Sequence, residues 1–219
     1  MAKESLSEQA YRLIRGMIVR LELTPGAVVR EDELQGFLGI GRTPIREALQ
    51  RLARDQFLVV IPRRGMIVSS IDIAELATLY ETRAILEPYV ARLACERGTA
   101  EHWHLMREVL DKAKRLGVTA QDQIQLDAKC HEIVWDAAGN RFLTDTLDVL
   151  YAQSDRLWHM YLSDVADMGH ALDEHDEILE ALESGDSELV YKLSAAHVRS
   201  FDAQVREAVR KRLELVSPL

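Results

Sequence analysis

The stretch Arg42-Thr43-Pro44-Ile45-Arg46-Glu47-Ala48-Leu49-Gln50-Arg51-Leu52-Ala53-Arg54 decides the reading of the first third of this 219-residue chain. Ile45, Ala48, Leu49 and Leu52 recur at the spacing of one helix face. Thr43-Pro44 reads as the helix start, with Thr43 as N-cap and Pro44 at the first helical position, where a missing N–H costs nothing. Arg46, Glu47, Gln50, Arg51 and Arg54 are then left facing outward. Working backward, Gly39 to Gly41 is a turn and Glu31 to Leu38 a second helix. Ala27-Val28-Val29 is a short edge strand, and Thr24-Pro25-Gly26 a break. Before that, Ala10, Leu13, Ile14, Met17, Ile18 and Leu21 form the inner face of a first helix, opened by Ser5-Leu6-Ser7-Glu8 in capping-box form. Working forward, Phe57 to Ile61 and Met66 to Ser70 are β-rich and flank Pro62-Arg63-Arg64-Gly65, which predicts a hairpin with a basic tip.

Helix, turn, helix and an arginine-tipped hairpin make the layout of a winged helix-turn-helix. The geometry of such a head assigns Arg42, Thr43 and Arg46 to the major groove, because an arginine fork can grip guanine O6 and N7 together. Arg51 and Arg54 lie further along for backbone phosphates, Arg30 is another phosphate candidate, and Arg63, Arg64 and Gly65 could enter the minor groove. From Asp72 on, strand signals stop. Amphipathic helices are expected near 72–97, 100–116, 120–138, 140–163, 168–184 and 186–212, the first kinked or split at Pro88. The expected fold is therefore mainly α: a winged head with a small β-hairpin wing over 1–70 and an all-α antiparallel bundle over 71–219.

Charge divides in the same way. Residues 1–70 carry 11 Lys/Arg against 8 Asp/Glu and the remainder 16 against 28, so a head at +3 precedes a body at −12 within a net −9. A basic module on an acidic body fits a DNA-binding head whose partner domain avoids DNA. Two cysteines, Cys95 and Cys130, are too few for a disulfide framework and fit packing roles in a reducing compartment. No apolar run nears the length of a membrane span and no leader opens the chain, so the expectation is a cytoplasmic protein with no membrane partner.

In the body, Asp127 and His131 stand four apart on one expected helix and share a face. His175 and His197 lie inside later helices beside apolar neighbours. Converging in a bundle, the four would suit a divalent Zn, Ni, Fe or Mn ion; singly, each histidine reads as an ordinary core residue. His102, His104, His159 and His170 keep that plainer reading, whereas Arg156 and Tyr161 are weaker candidates for a ligand pocket. No His-Glu-x-x-His helix, Gly-rich phosphate loop or nucleophile beside a base points to an enzyme.

Two resemblances sharpen this. Gly39-Ile40-Gly41-Arg42-Thr43-Pro44-Ile45-Arg46-Glu47-Ala48-Leu49, with Ile61-Pro62-Arg63-Arg64-Gly65-Met66, resembles the signature of GntR-family bacterial regulators, with Gly41 where that family usually has a serine. Leu79 to Glu87, Asp127-Ala128-Lys129-Cys130-His131, Ala138-Gly139-Asn140, Glu174 to Leu179 and Ala196-His197 resemble the FCD effector domain of its FadR subfamily, the six-helix count being nearer the VanR-like branch. The resemblance implies that Asp127, His131, His175 and His197 hold a divalent metal. It further implies that a small organic acid binds beside the metal, with Arg83 contacting its carboxylate. Arg83 could instead pair with Glu87 at i+4. A regulator of this kind, a repressor by expectation, would bind a palindromic double-stranded operator as a homodimer, since one head buries too little surface for tight specific binding. A metal-sensing regulator is the alternative, and a metalloenzyme with a winged head the remoter one.

Overall fold

A computed structural model of the protein describes residues 4–70, 73–115, 117–161 and 168–216. Among these residues are nine helices and three short strands. Packing divides the chain into two units, Met1–Ile73 with Tyr151–Met160, and Ala74–Leu150 with Tyr161–Leu219.

The first unit runs α1 (Leu6–Val19), β1 (Val28–Val29), α2 (Glu31–Leu38), α3 (Arg42–Arg54), β2 (Leu58–Ile61) and β3 (Gly65–Val68). The strands form an antiparallel sheet in the order β1-β3-β2, with Val28 opposite Ile67 and Ile61 opposite Gly65. Ala10, Ile14 and Ile18 of α1 share a dry core with Ile45, Ala48, Leu49 and Leu52 of α3, joined by Phe57, Leu58 and Val68. This is the expected winged helix-turn-helix, and the α3 face predicted to point inward is the face that is buried.

Two local details depart from expectation. Helix α3 starts at Arg42: the Ile45 N–H already reaches the Gly41 carbonyl at 3.3 Å, so Gly41 rather than Thr43 is the cap. Pro44 still lies in the first turn, where N–H groups have no helical acceptor. At α1 half of the capping box forms. Ser5 Oγ accepts the Glu8 N–H at 3.1 Å, but the Glu8 carboxylate goes to Arg51 on α3 instead of turning back. Tertiary pairing wins because Arg51 is a charged donor and the Ser5 amide is not.

Gly36 sits inside α2 with open space where a Cβ would project. Because glycine weakens a helix interior by roughly 0.5–1 kcal/mol relative to alanine, Gly36→Ala is expected to stabilise the head by about that amount. Chemical denaturation followed by circular dichroism checks this; a loss of stability would mean that α2 is not helical at Gly36 in solution.

The second unit is a bundle of α4 (Ile73–Arg97), α5 (Ala100–Ala113), α6 (Ala120–Ala138), most of α7 (Arg141–Tyr161), α8 (Met168–Ser184) and α9 (Ser187–Val216). Val90, Ala94, Met106, Leu110, Cys130, Leu147, Leu179, Val190 and Val205 fill its interior. Pro88 does not divide α4. Its missing N–H removes one helical bond, while the buried Glu87, Val90, Ala91 and Ala94 around it hold the helix as one element. No helix among the described residues is long and apolar enough to cross a membrane.

The turns of α7 from Tyr151 to Met160 pack in the first unit. There the buried Arg156 donates to the Ser69 carbonyl and, at 2.9 Å, to Ser69 Oγ, while Gln153 Nε2 donates to the Asp55 carbonyl at 3.2 Å. Burial lowers the Arg156 pKa to about 10. Arg156, a cavity candidate by sequence, is thus spent on a turn-closing contact, and the Tyr161 side chain lies outside the described residues.

Candidate metal centre and nucleic-acid interface

In the head, the first turn of α3 presents Arg42, Thr43 and Arg46 to solvent, with the Arg42 and Arg46 side chains 73% and 60% exposed. Arg30 is exposed beside Glu33, at 3.6 Å. At the wing tip Arg63 and Gly65 take left-handed backbone, φ 64° and 88°, which lets the chain reverse within Pro62–Arg64 and leaves Arg63 and Arg64 exposed. Arg51 is different. Its guanidinium lies 3.8 Å from the centre of the Tyr11 ring, pairs with Glu8 at 2.6 Å and stands 3.8 Å from Asp55, and so it ties α3 to α1. The Tyr11 hydroxyl donates to Asp55 at 2.7 Å, and burial together with that bond pushes its pKa up.

In the bundle, Asp127 and His131 on α6, His175 on α8 and His197 on α9 converge, all buried, with one ligand atom of each within 4.8 Å of the others. Outer carboxylates turn the rings. Glu87 on α4 faces His131 Nδ1 at 3.3 Å, and Glu174 on α8 accepts from His197 Nδ1 at 2.7 Å. With both Nδ1 atoms donating outward, the two Nε2 atoms face each other at 3.3 Å. His175 Nε2 lies 2.9 Å from Asp127 Oδ1, and its buried Nδ1 has no hydrogen-bond partner among the described residues. Arg83, also buried, donates to Glu87, the pairing at i+4.

Electrostatics favour the metal-binding form at Asp127 and at His175. Burial alone would raise the Asp127 carboxyl, but the His175 hydrogen bond and the three surrounding imidazoles outweigh it and hold it well below the usual carboxylate range. Burial would likewise raise Glu87, and Arg83 and His131 together reverse that. Burial and the neighbouring His197 lower His175, which favours the neutral ring. An ionised carboxylate and neutral imidazoles are the states that bind a cation.

The residues present fit a divalent ion. One carboxylate and three imidazoles, with ligand atoms all within 4.8 Å of one another, are the donor types and the clustering that a single divalent ion would use. With both Nδ1 atoms turned to carboxylates, the two Nε2 atoms at 3.3 Å are placed to share one cation, a proton or a metal ion. The glutamates complete the carboxylate–histidine pattern that commonly orients metal ligands. His131, His175 and His197 themselves line a cavity of about 20 Å³, closed by Glu87, Ala91, Val134, Trp135, Ile178 and Ser194, which is room for an ion or a water. Cys130 is buried on the same helix and is not one of the converging donors.

Sequence reading assembled the four inner residues but assigned no role to Glu174, and treated Glu87 only as a partner for Arg83. Glu174 precedes a histidine it does not orient and serves another 23 residues further on, a pairing that only the α8–α9 contact creates. Glu31 on α2 carries no such signal either, since its partners lie on α3.

Comparison with known proteins agrees with this architecture. Residues 6–68 match the family described as bacterial regulatory proteins, gntR family, and residues 78–200 match the FCD domain. The chain is 27% identical over 207 residues to the HTH-type transcriptional repressor RspR of Escherichia coli K12, covering 93% of this chain and 90% of that protein. It is 28% identical over 195 residues to the Nta operon transcriptional regulator of Aminobacter aminovorans, covering 89% and 91%. Among solved structures, E. coli McbR/YncC superposes with a TM-score of 0.83 at 22% identity, over 94% of this chain and 99% of that one, a likeness of fold. The matched families and relatives are transcriptional regulators rather than enzymes. With its head and its bundle both matched, the chain belongs to the GntR family of bacterial regulatory proteins, in the branch whose DNA-binding head is followed by an FCD domain.

Proposed function

We propose that this regulator is a repressor that binds a palindromic operator as a homodimer and responds to a small organic acid bound beside a divalent metal in the FCD domain. The buried convergence of Asp127, His131, His175 and His197, whose three imidazoles line an ion-sized cavity, carries the reading, and an acid beside the ion requires the bundle to open there. A bound Zn, Ni, Fe or Mn ion would supply open positions for carboxylate and hydroxyl oxygens. In this reading Asp127 supplies the charge, Glu87 and Glu174 aim the rings, and the apolar wall excludes water. Arg83 is the buried cation for a second carboxylate contact, in competition with Glu87. On the head, Arg42, Thr43 and Arg46 read the major groove, Arg30 takes a phosphate, and Arg63 and Arg64 with Gly65 take the minor groove; Arg51 leaves the set because α1 already holds it. A role on chromosomal DNA implies the cytoplasm of a bacterial cell.

The test is retention of DNA fragments from upstream of the protein's own gene by metal-loaded, chelated and acid-treated protein. Release by one acid in the metal-loaded form alone is the expected result, and indifference to both metal and acid would overturn the reading. In the same assay Arg46→Ala should weaken specific retention by roughly 5- to 150-fold, the worth of one bidentate base contact of about 1–3 kcal/mol, with the fold intact. Unchanged retention would remove α3 as the reading helix.

A further inference from the structure

Glu31 opens α2, and its carboxylate reaches across to α3, where Oε2 meets Arg42 Nε at 3.5 Å and Oε1 meets Arg46 Nε at 3.3 Å. Three acidic residues, Glu31, Asp32 and Glu33, share that first turn, and any of them would complement the helix dipole. Only Glu31 is turned toward the reading helix. Its side chain is 28% exposed, against 70% for Glu33, which faces Arg30.

Exposed ion pairs of this kind contribute about 0–1 kcal/mol to folding, so stability does not explain why one carboxylate holds two guanidiniums. The geometry explains it better. Both arginines bind through Nε and have no other partner among the described residues, so the terminal N–H groups that grip a guanine edge are not consumed. Each long side chain is held near one position and loses less freedom on meeting a base. The pair of cations also carries a net charge of +1 instead of +2, and non-specific affinity for DNA follows the number of charges available to phosphates. By contrast Arg63 and Arg64 of the wing have no acidic partner among the described residues. The head thus offers bare cations at the wing and a half-neutralised, aimed pair where sequence is read.

We propose that Glu31 is a positioning and specificity-determining residue: it aims Arg42 and Arg46 at base edges and withholds them from random phosphates. The proposal rests on the DNA-reading assignment above. Its test is Glu31→Gln, with binding measured to a fragment from upstream of the protein's own gene that the unmodified protein retains, and to a scrambled duplex of equal length, across a salt series. The expected result is a roughly tenfold fall in the ratio of specific to non-specific affinity. The salt dependence for the scrambled duplex should steepen by about 0.9 in log–log slope, one added phosphate contact. Glu31→Asp, which keeps the charge, should fall between the two. A ratio unchanged within twofold, or parallel losses on both duplexes as a purely structural role would give, overturns the proposal. Arg46→Ala run alongside separates the two failures. If it loses specific binding while Glu31→Gln leaves the ratio alone, only Glu31 has been misassigned; if it loses nothing, the reading of α3 falls first.

Discussion

Saturating the protein with a divalent ion should raise the melting temperature of the helical unit by about 5–10 °C, and His175→Ala should erase the rise. A ligand at about 100 times its dissociation constant stabilises the folded state by about 2.7 kcal/mol, and a chain of this size shifts by about 2–4 °C per kcal/mol. His175 is the informative position because its ring touches Asp127 at 2.9 Å and sits fully inside the bundle, so its loss removes a donor without disturbing the surface. Glu174→Gln keeps all four donors and loosens only the His197 ring, and it should weaken ion binding by roughly 10- to 100-fold. Calorimetric scans with and without chelator decide the matter. Equal shifts in the unmodified protein and in His175→Ala would place the ion elsewhere.

The second large effect concerns the carboxylate behind the rings. Glu87→Gln leaves the Arg83 guanidinium, 2% exposed, without its carboxylate inside α4. Breaking a buried ion pair from one side costs about 3–5 kcal/mol, whereas replacing both members with apolar residues of similar volume is close to neutral. Glu87→Gln should therefore lower unfolding free energy by that amount, and the double change Arg83→Met, Glu87→Leu should recover part of it, the remainder being the cost of leaving His131 Nδ1 without its carboxylate. Denaturant titration of the three proteins gives the comparison. A single-mutant loss under about 1 kcal/mol would mean that Arg83 draws its compensation from another group.

Most of the head could be read from its sequence because its elements are local. The α3 face of Ile45, Ala48, Leu49 and Leu52 repeats within three turns, and the wing is announced by Pro62-Arg63-Arg64-Gly65 between two β-rich runs. The inner metal-binding candidates were legible for a related reason: Asp127 and His131 fix a face by spacing alone, and family resemblance supplied His175 and His197. What escaped depends on distance along the chain. Glu31 reaches residues 11 and 15 positions away, Glu8 reaches 43, and Glu174 reaches 23. No periodicity records such pairs, since a carboxylate on a helix surface looks the same whether it faces water or a guanidinium. The Thr43 cap lies two residues past the observed one because Thr-Pro is a good start wherever it falls in the first turn, and Gly41 leaves no side-chain signal of its own.

The ten residues Tyr151–Met160 that pack with the head give it a discontinuous pedigree. A fragment ending at residue 70 would lack the Arg156 and Gln153 side chains that satisfy the Ser69 and Asp55 carbonyls. Transplanting this head onto another effector domain, by recombination in nature or by fusion in the laboratory, would therefore require a matching helix in the recipient.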